Sequence, residues 1–139
     1  MSALSCVLLV DDDETTNYLN QALLQRMAVT DTILVAGNGQ EALDRLHTHC
    51  AQPDSPTCPA LILLDMKMPR MNGVEFLQAY TQRPVIQHPP VVIIMLTTSL
   101  NPNDVVQMQG LPIAGYLTKP LTKEKINQLL RDHFGDAAE

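Results

Sequence analysis

Short runs of Val, Ile and Leu recur at separated points of the chain without polar residues alternating between them. They occupy residues 6–10, 33–36, 61–64 and 91–96, and a weaker run follows at residues 114–117. Continuous apolar runs are typical of strands that are buried on both faces of a parallel sheet. This pattern therefore predicts a sheet with helices packed on both of its faces.

Helical patterns lie between these runs, with apolar residues spaced to share one face. The residues expected to face the core are Tyr18, Leu19, Ala22, Leu23 and Met27, then Ala42, Leu43 and Leu46, then Phe76, Leu77 and Tyr80, and finally Ile126, Leu129, Leu130, His133 and Phe134. Helix-capping residues precede the later patterns; they are Asn38, Asn72, Asn101 and Thr122. Because strand and helix alternate five times, we predict a doubly wound α/β domain with a five-stranded parallel sheet.

The length and composition fit one domain. The chain has 139 residues, of which 45% are hydrophobic, enough for one core but too few residues for a separate output domain. We expect residues 1–139 to form a single domain with its core at about residues 5–134 and no output domain. Residues 50–59 contain three prolines and are expected to form a stiff exposed loop within it.

The charge balance excludes several classes of partner. The formal net charge is −6 and the basic residues are scattered, so the chain lacks the basic surface that binds nucleic acid. The apolar runs are too short to cross a bilayer. The apolar N-terminus has no basic flank and leads into four acidic residues, unlike a signal peptide. We therefore expect a cytoplasmic protein with no membrane and no nucleic-acid partner.

The three cysteines do not indicate a disulfide framework, because their number is odd. Cys6 lies in an apolar run and is expected to be a small core residue. A metal site built from His47, His49, Cys50 and Cys58 is disfavoured because the two histidines would point to different sides of a helix and no CxxC pair is present. We expect surface histidines and free thiols.

Polar side chains follow most of the predicted strands. Asp11, Asp12, Asp13 and Glu14 follow the first strand, Asp65 the third, Thr97 and Thr98 the fourth, and Lys119 the fifth. In open α/β sheets, ligands bind outside the carboxyl ends of the strands, so these groups are expected to converge. Clustered carboxylates need a cation, and oxygen ligands suit Mg²⁺. A magnesium site beside a lysine and a hydroxyl is suited to holding a phosphoryl group.

Four motifs stand in order along the chain: LLVDD at residues 8–12, LLDMKMPRMNG at 63–73, LTT at 96–98 and GYLTKP at 115–120. In these motifs the chain resembles the response regulator receiver family, the CheY-like domain of two-component signalling. The resemblance covers about residues 5–134 and implies a flavodoxin-like (βα)5 fold. It also implies a signalling domain that accepts a phosphoryl group from a phosphohistidine and is not a turnover enzyme.

The resemblance assigns the acceptor and the metal ligands by position. Asp65 matches the phosphoacceptor, and Asp11 and Asp12 match the acidic pair that binds Mg²⁺. Asp12 is the expected direct ligand, whereas Asp11 is expected to act mostly through water. Asp65 itself and the backbone carbonyl of Lys67 complete the implied ligand set.

The resemblance also assigns phosphoryl contacts and a switch. Thr97 and Lys119 match the hydroxyl and ammonium that contact the phosphoryl group, and Tyr116 matches the aromatic switch position. A cis peptide is implied before Pro120, aiming the lysine into the site. Thr98 stands where the family often has Ala or Gly, and this larger side chain is expected to slow dephosphorylation by restricting water.

The segment after Asp65 is rich in methionine. Met66, Met68 and Met71 fit either flexible core filling or partner binding, and the sequence does not choose between them. Gly73 and Pro69 are expected to shape this loop.

A phosphatase is the alternative function. The segment DDDET also contains the DxDxT pattern of haloacid-dehalogenase-type phosphatases, with Asp11 as nucleophile and Asp13 as acid/base, and with Thr97 and Lys119 binding phosphate. This interpretation leaves the LLDMKMPRMNG motif unexplained. It also needs a cap domain or a larger core than 139 residues provide.

The implied partners are proteins. They are a sensor histidine kinase or a histidine phosphotransfer protein, and an unknown downstream target. The output is either binding of that target in the phosphorylated form or relay of the phosphoryl group to a histidine on another protein. A chemically inactive receiver would lack an acid, the threonine or the lysine, and all of these are present.

Overall fold

The computed structural model describes residues 4–52, 55, 57–68, 71–83, 91–98 and 101–135. Five parallel strands form one sheet in the order β2-β1-β3-β4-β5. The strands are β1 Val7–Val10, β2 Ile33–Ala36, β3 Leu61–Asp65, β4 Val92–Thr97 and β5 Gly115–Thr118. The predicted doubly wound fold is confirmed, with strand bounds shifted by at most one residue.

Five helices connect and follow the strands in the described chain. They are α1 Glu14–Arg26, α2 Gly39–His49, α3 Gly73–Thr81, α4 Pro102–Met108 and α5 Lys123–Phe134. The predicted capping residues Asn38, Asn72, Asn101 and Thr122 each accept a backbone N–H of the helix that follows. These caps satisfy donors that have no partner inside the helix.

The sheet separates two apolar cores. Helices α2 and α3 pack on one face, and α1 and α5 pack on the other. Within β1, Leu8 and Val10 point to the first core, whereas Val7 and Leu9 point to the second. The central strands β1, β3 and β4 are therefore buried on both faces, as predicted. The edge strands β2 and β5 are only partly covered.

The predicted inward face of α1 is wrong for two residues. Tyr18 is 70% exposed and Leu19 is 58% exposed, whereas Asn17, Asn20 and Leu24 are buried. The side-chain amide of Asn17 donates to the backbone carbonyl of Asp11 at 2.8 Å. This buried hydrogen bond fixes the rotation of α1, so a polar residue takes an inward position that apolar spacing alone would not assign.

The inward assignment of His133 in α5 is wrong as well. His133 is exposed, because Ile126, Leu129 and Leu130 already fill the space between α5 and the sheet. Phe134 packs against the same core and is partly buried. No helix among the described residues has the length and apolar composition needed to cross a membrane.

The expectation of free thiols is wrong for two of the three cysteines. Cys50, at the end of α2, and Cys58, before β3, form a disulfide with their Cα atoms 4.7 Å apart, and both are buried in the first core. The return of the chain from α2 to β3 brings them together. Cys6 is free and buried, as expected.

The loop at residues 50–59 is less exposed than predicted, because both of its ends are buried. His49 pairs with Thr57 at 2.9 Å and His47 pairs with Arg83 at 3.0 Å. The disfavoured metal site is thus replaced by a disulfide and hydrogen bonds. Two of the loop's prolines, Pro53 and Pro56, lie outside the described residues.

Candidate functional site

The carboxyl ends of the strands bring the predicted site residues to one edge of the sheet. Asp11 follows β1, Asp65 ends β3, Thr97 ends β4 and Lys119 follows β5. The residues that line the resulting pocket are Asp11, Asp12, Asp13, Thr16, Asp65, Lys67, Thr97, Thr98 and Lys119. Parallel strands in register therefore assemble groups that are far apart in the chain.

Lys119 lies at the centre of this pocket. Its Nζ donates to Oδ2 of Asp11 at 2.7 Å and lies 3.3 Å from Oδ1 of Asp65. Its backbone N–H donates to the carbonyl of Thr97 at 2.7 Å, and the peptide bond to Pro120 is cis, as the resemblance implied. One ammonium therefore contacts two buried carboxylates.

Burial and charge shift the ionisation of this pair. Desolvation, followed by the charge of Asp11, raises the pKa of Asp65 to about 6, although Lys119 and the N–H of Lys67 act in the opposite sense. Desolvation acts to lower the pKa of Lys119, but the hydrogen bond to Asp11 and the charges of both carboxylates outweigh it, so that pKa is raised. At neutral pH the pocket thus holds an ionised acid next to an ammonium.

Three of the carboxylates fit a divalent cation. One oxygen from each of Asp11, Asp12 and Asp65 lies within 4.8 Å of the other two. Asp11 and Asp65 are buried whereas Asp12 is exposed, so the cluster opens to solvent on one side. Oxygen donors of this charge and spacing suit Mg²⁺. The repulsion from Asp11 that raises the pKa of Asp65 is the kind of charge crowding that a cation relieves.

Asp13 has a structural role in the turn between β1 and α1. It is the N-cap of α1, and its carboxylate accepts from the N–H of Thr15 at 3.0 Å and the hydroxyl of Thr16 at 2.8 Å. These hydrogen bonds, the one from Thr16 first, lower the pKa of Asp13. A carboxylate committed to a cap and held ionised is poorly suited to the acid/base role in the phosphatase interpretation.

Asn17 is a site residue that the sequence patterns did not reveal. By holding the carbonyl of Asp11, it fixes the end of β1 at the point where the acidic pair begins. The N–H of Asp13 supports the same turn by donating to Oδ1 of Asp11 at 2.9 Å. An asparagine in a helix gives no such signal in sequence, because its partner is defined only by the tertiary fold.

Gly73 allows α3 to begin directly behind the acceptor. A Cβ at this position would lie 2.8 Å from the backbone oxygen of Asp65, closer than atoms can pack. The N–H of Gly73 donates to the carbonyl of Met66 at 3.1 Å, which closes the loop after β3. The expected loop-shaping role of Gly73 thus has a steric basis, whereas Pro69 lies outside the described residues.

The methionines of this segment contribute to the core. Met66 and Met68 are buried, and Met71 is half-buried against the same apolar cluster. Met71 also packs against Gly39 at the start of α2, where an added Cβ would meet its side chain at 2.6 Å. Of the two alternatives left open by the sequence, the described contacts favour core filling.

The assigned switch residues differ in exposure. Thr97 is buried, whereas Tyr116 is 49% exposed on β5. Thr98 is exposed and lines the pocket next to Thr97. The tyrosine ring therefore occupies an outward position in this structure.

Together, the fold and the pocket define a doubly wound α/β domain with an acidic cluster that could hold a divalent cation, beside a lysine. A family model for the response regulator receiver domain matches residues 7–131. The response regulator Rcp1 of Synechocystis sp. is 34% identical over 113 residues, which cover 81% of this chain and 75% of that protein. The chemotaxis protein CheY of Pseudomonas aeruginosa is 28% identical over 88% of this chain and 94% of its own.

Solved structures agree with these relatives. A two-component response regulator from Cytophaga hutchinsonii has a TM-score of 0.81 at 26% identity and covers 94% of this chain and 97% of its own. The chemotaxis protein CheY4 of Vibrio cholerae has a TM-score of 0.75 at 26% identity, over 91% and 96%. The chain belongs to the response regulator receiver family of two-component signalling. Receiver domains bind Mg²⁺ at an acidic pocket of this kind.

Proposed function

We propose that this chain accepts a phosphoryl group on Asp65 from a phosphohistidine and signals through the change in charge that results. The observation that carries the proposal is the contact of Lys119 with both Asp11 and Asp65 at the carboxyl edge of the sheet. A buried acid paired with a fixed ammonium, beside a cluster suited to a divalent cation, has the parts needed to receive a phosphoryl group.

The transfer is a substitution at phosphorus. An ionised carboxylate oxygen of Asp65 attacks the phosphorus of the phosphohistidine, so that a P–O bond forms and the P–N bond breaks. The electron pair of the P–N bond stays on the imidazole nitrogen, and the product is an aspartyl phosphate. With a pKa of about 6, Asp65 is mostly ionised at neutral pH and can act as the nucleophile.

The surrounding side chains stabilise charge on the transferred group. The ammonium of Lys119 is already within 3.3 Å of the acceptor, so it is positioned to neutralise phosphoryl oxygens. Mg²⁺ would be held by Asp11, Asp12, Asp65 and the backbone carbonyl of Lys67. When bound, the ion supplies positive charge to oxygens that gain negative charge during transfer.

The switch is proposed to run from Asp65 to β5. The phosphoryl group adds strong acceptor oxygens, which draw the hydroxyl of Thr97 towards them. Movement of Thr97 makes room for Tyr116, whose ring is now outward, to turn inward. The face formed by α4, β5 and α5 then differs between the free and phosphorylated forms, because only the phosphorylated form has the Thr97 contact.

The remaining features of the function are also proposals. Residues 1–139 act as a single receiver domain in the cytoplasm, with a sensor histidine kinase or histidine phosphotransfer protein as donor. The output goes to a protein partner by binding or by phosphorelay, and not to nucleic acid or a membrane. Thr98, exposed at the pocket, is proposed to slow hydrolysis of the aspartyl phosphate.

Phosphate uptake tests the proposal directly. Incubation with Mg²⁺ and a small phosphodonor should add one phosphoryl group to the wild-type chain, measured by intact mass. Asp65→Asn should abolish this uptake, and Asp44→Asn, a matched change at an exposed acid of α2, should leave it intact. Full labelling of Asp65→Asn together with loss in Asp11→Asn would overturn the proposal in favour of the phosphatase.

A further inference from the structure

Asp104 is a buried carboxylate in the first turn of α4. Its residue is 4% exposed, and its N–H donates to the N-cap side chain of Asn101 at 2.9 Å. Its Oδ2 has no hydrogen-bond partner among the described residues. Nζ of Lys67 lies 3.8 Å from this oxygen, close enough for an ion pair but not for a hydrogen bond. A buried charge depends strongly on its counter-charge, and within the described part of the chain Lys67 is the cation that pairs with Asp104.

Lys67, the partner of Asp104, lies in the loop that follows Asp65. It lies two residues after Asp65, its N–H donates to Oδ1 of Asp65 at 3.3 Å, and it lines the acidic pocket. Its side chain is 63% exposed, whereas that of Asp104 is 6% exposed. The lysine is therefore free to change partners, and the aspartate is not.

We propose that Lys67 and Asp104 form an electrostatic latch that couples the acceptor loop to α4, and that phosphorylation of Asp65 opens it. This inference rests on the proposed function. A phosphoryl group carries roughly 1.5 to 2 negative charges at neutral pH. It replaces the single charge of the ionised Asp65 carboxylate, so the pocket gains up to about one negative charge. Lys67 is exposed and already lines the pocket, so it turns towards this charge and leaves Asp104.

Opening the latch destabilises the packed position of α4. Without Lys67, the buried carboxylate of Asp104 has no counter-charge among the described residues. An unpaired buried charge costs more than either the intact pair or a neutral side chain. Helix α4 is short, and within it only Asp104 and Met108 are buried. Such a lightly packed element moves readily, so its first turn shifts to bring Asp104 to water.

The latch predicts unequal effects on α4 when either partner is substituted in the unphosphorylated protein. Lys67→Met leaves the buried charge unpaired and should speed amide hydrogen exchange in α4 by about threefold to tenfold. Asp104→Asn removes the charge itself and should leave exchange within about twofold of wild type. The double variant should behave like Asp104→Asn, and Lys67→Arg should behave like wild type. Lys123→Met, at an exposed lysine of α5, is the matched control and should change nothing in α4.

The result that would overturn the latch is equally clear. If Lys67→Met and Asp104→Asn both speed exchange and their effects add in the double variant, or if neither changes α4, the pair does not act as a latch. This arm needs no phosphate, so it stands even if the proposed acceptor is wrong.

A second arm tests the coupling to Asp65. With Mg²⁺ and beryllofluoride, a phosphoryl mimic, wild-type α4 should exchange about threefold to tenfold faster than in the free protein. Asp104→Asn should accept one phosphate by intact mass yet show less than half of this response. A full wild-type response in Asp104→Asn would refute the latch, whereas absence of phosphate from the wild type would refute the proposed function instead.

Discussion

The two ends of the sheet are held together by different forces. At the carboxyl end, Lys119 lies between the carboxylates of Asp11 and Asp65, so the packing depends on charge. At the opposite end, Cys50 and Cys58 are joined covalently within an apolar core. An end that depends on charge changes when a phosphoryl group or a cation arrives. An end closed by a covalent bond and apolar packing has no such dependence, so we expect it to stay fixed when the other end changes.

The largest expected effect is at the charged end. Lys119→Met removes the ammonium that neutralises the acceptor pocket, and it should slow phosphate uptake by at least about 100-fold, as loss of one group that stabilises transition-state charge does in other sites. The initial rate of uptake, followed by intact mass, measures this. Lys123→Met is the matched control and should retain the wild-type rate. An unchanged rate in Lys119→Met would remove the lysine from the chemistry.

The fixed end should affect stability without affecting the chemistry. The disulfide closes a loop with a sequence separation of 8 residues. Loop-closure entropy then gives it a contribution of roughly 2 to 3 kcal/mol to the free energy of unfolding. Cys50→Ala/Cys58→Ala, or addition of a reductant to the wild type, should lower the denaturation midpoint while phosphate uptake stays at the wild-type rate.

Two observations would break this separation of the two ends. A reductant that further destabilises the double alanine variant would show that the loss does not come from this bond. Slower phosphate uptake in the double alanine variant would show that the disulfide end of the sheet is coupled to the acidic pocket.

In the absence of Mg²⁺, the pH dependence of stability should report on Asp65 at the carboxyl end of the sheet. The pKa of Asp65 is raised from 3.8 to about 6 in the folded state. The folded chain therefore binds more protons than the unfolded chain between these values, so this residue makes stability fall as pH rises through that window. Asp65→Asn should flatten this fall. The free energy of unfolding of the variant, relative to that of wild type, should be about 1 to 3 kcal/mol higher at pH 7 than at pH 3.5. Identical pH profiles of urea unfolding for both proteins would contradict the shift.

Mg²⁺ should give a smaller effect at the same end. A ligand of the native state at ten times its dissociation constant stabilises by about 1.4 kcal/mol. Thermal denaturation with added Mg²⁺ should show this in wild type and lose it in Asp12→Ala, while Asp44→Asn keeps it. A shift that survives in Asp12→Ala would place the ion at other ligands.

The charged end was largely predictable from the sequence, because strand patterns and strand ends are local. Each apolar run predicted a strand, and the polar residue after it had to lie at the shared carboxyl edge. Asp11, Asp65, Thr97 and Lys119 meet there as expected. The motifs of the family then added the particular role of each residue, which spacing alone does not provide.

The parts that were not predictable depend on tertiary contacts. The rotation of α1 follows from one hydrogen bond between Asn17 and the backbone of Asp11, and apolar spacing had placed Tyr18 on the wrong side. Cys50 and Cys58 meet only because the loop between them returns to the core. The odd number of cysteines favoured free thiols, and composition carries no information on which side chains meet in the fold.

The central claim is that a carboxylate oxygen of Asp65 forms the new bond to phosphorus, giving an aspartyl phosphate. Mapping the phosphate on the wild-type chain tests this claim most directly. The protein is phosphorylated with Mg²⁺ and a phosphohistidine donor, then digested, and the modified peptide is identified by mass spectrometry. The account predicts one acid-labile phosphate on the peptide that contains Asp65. A phosphate on the peptide that contains Asp11, with Asp65 unmodified, would contradict it.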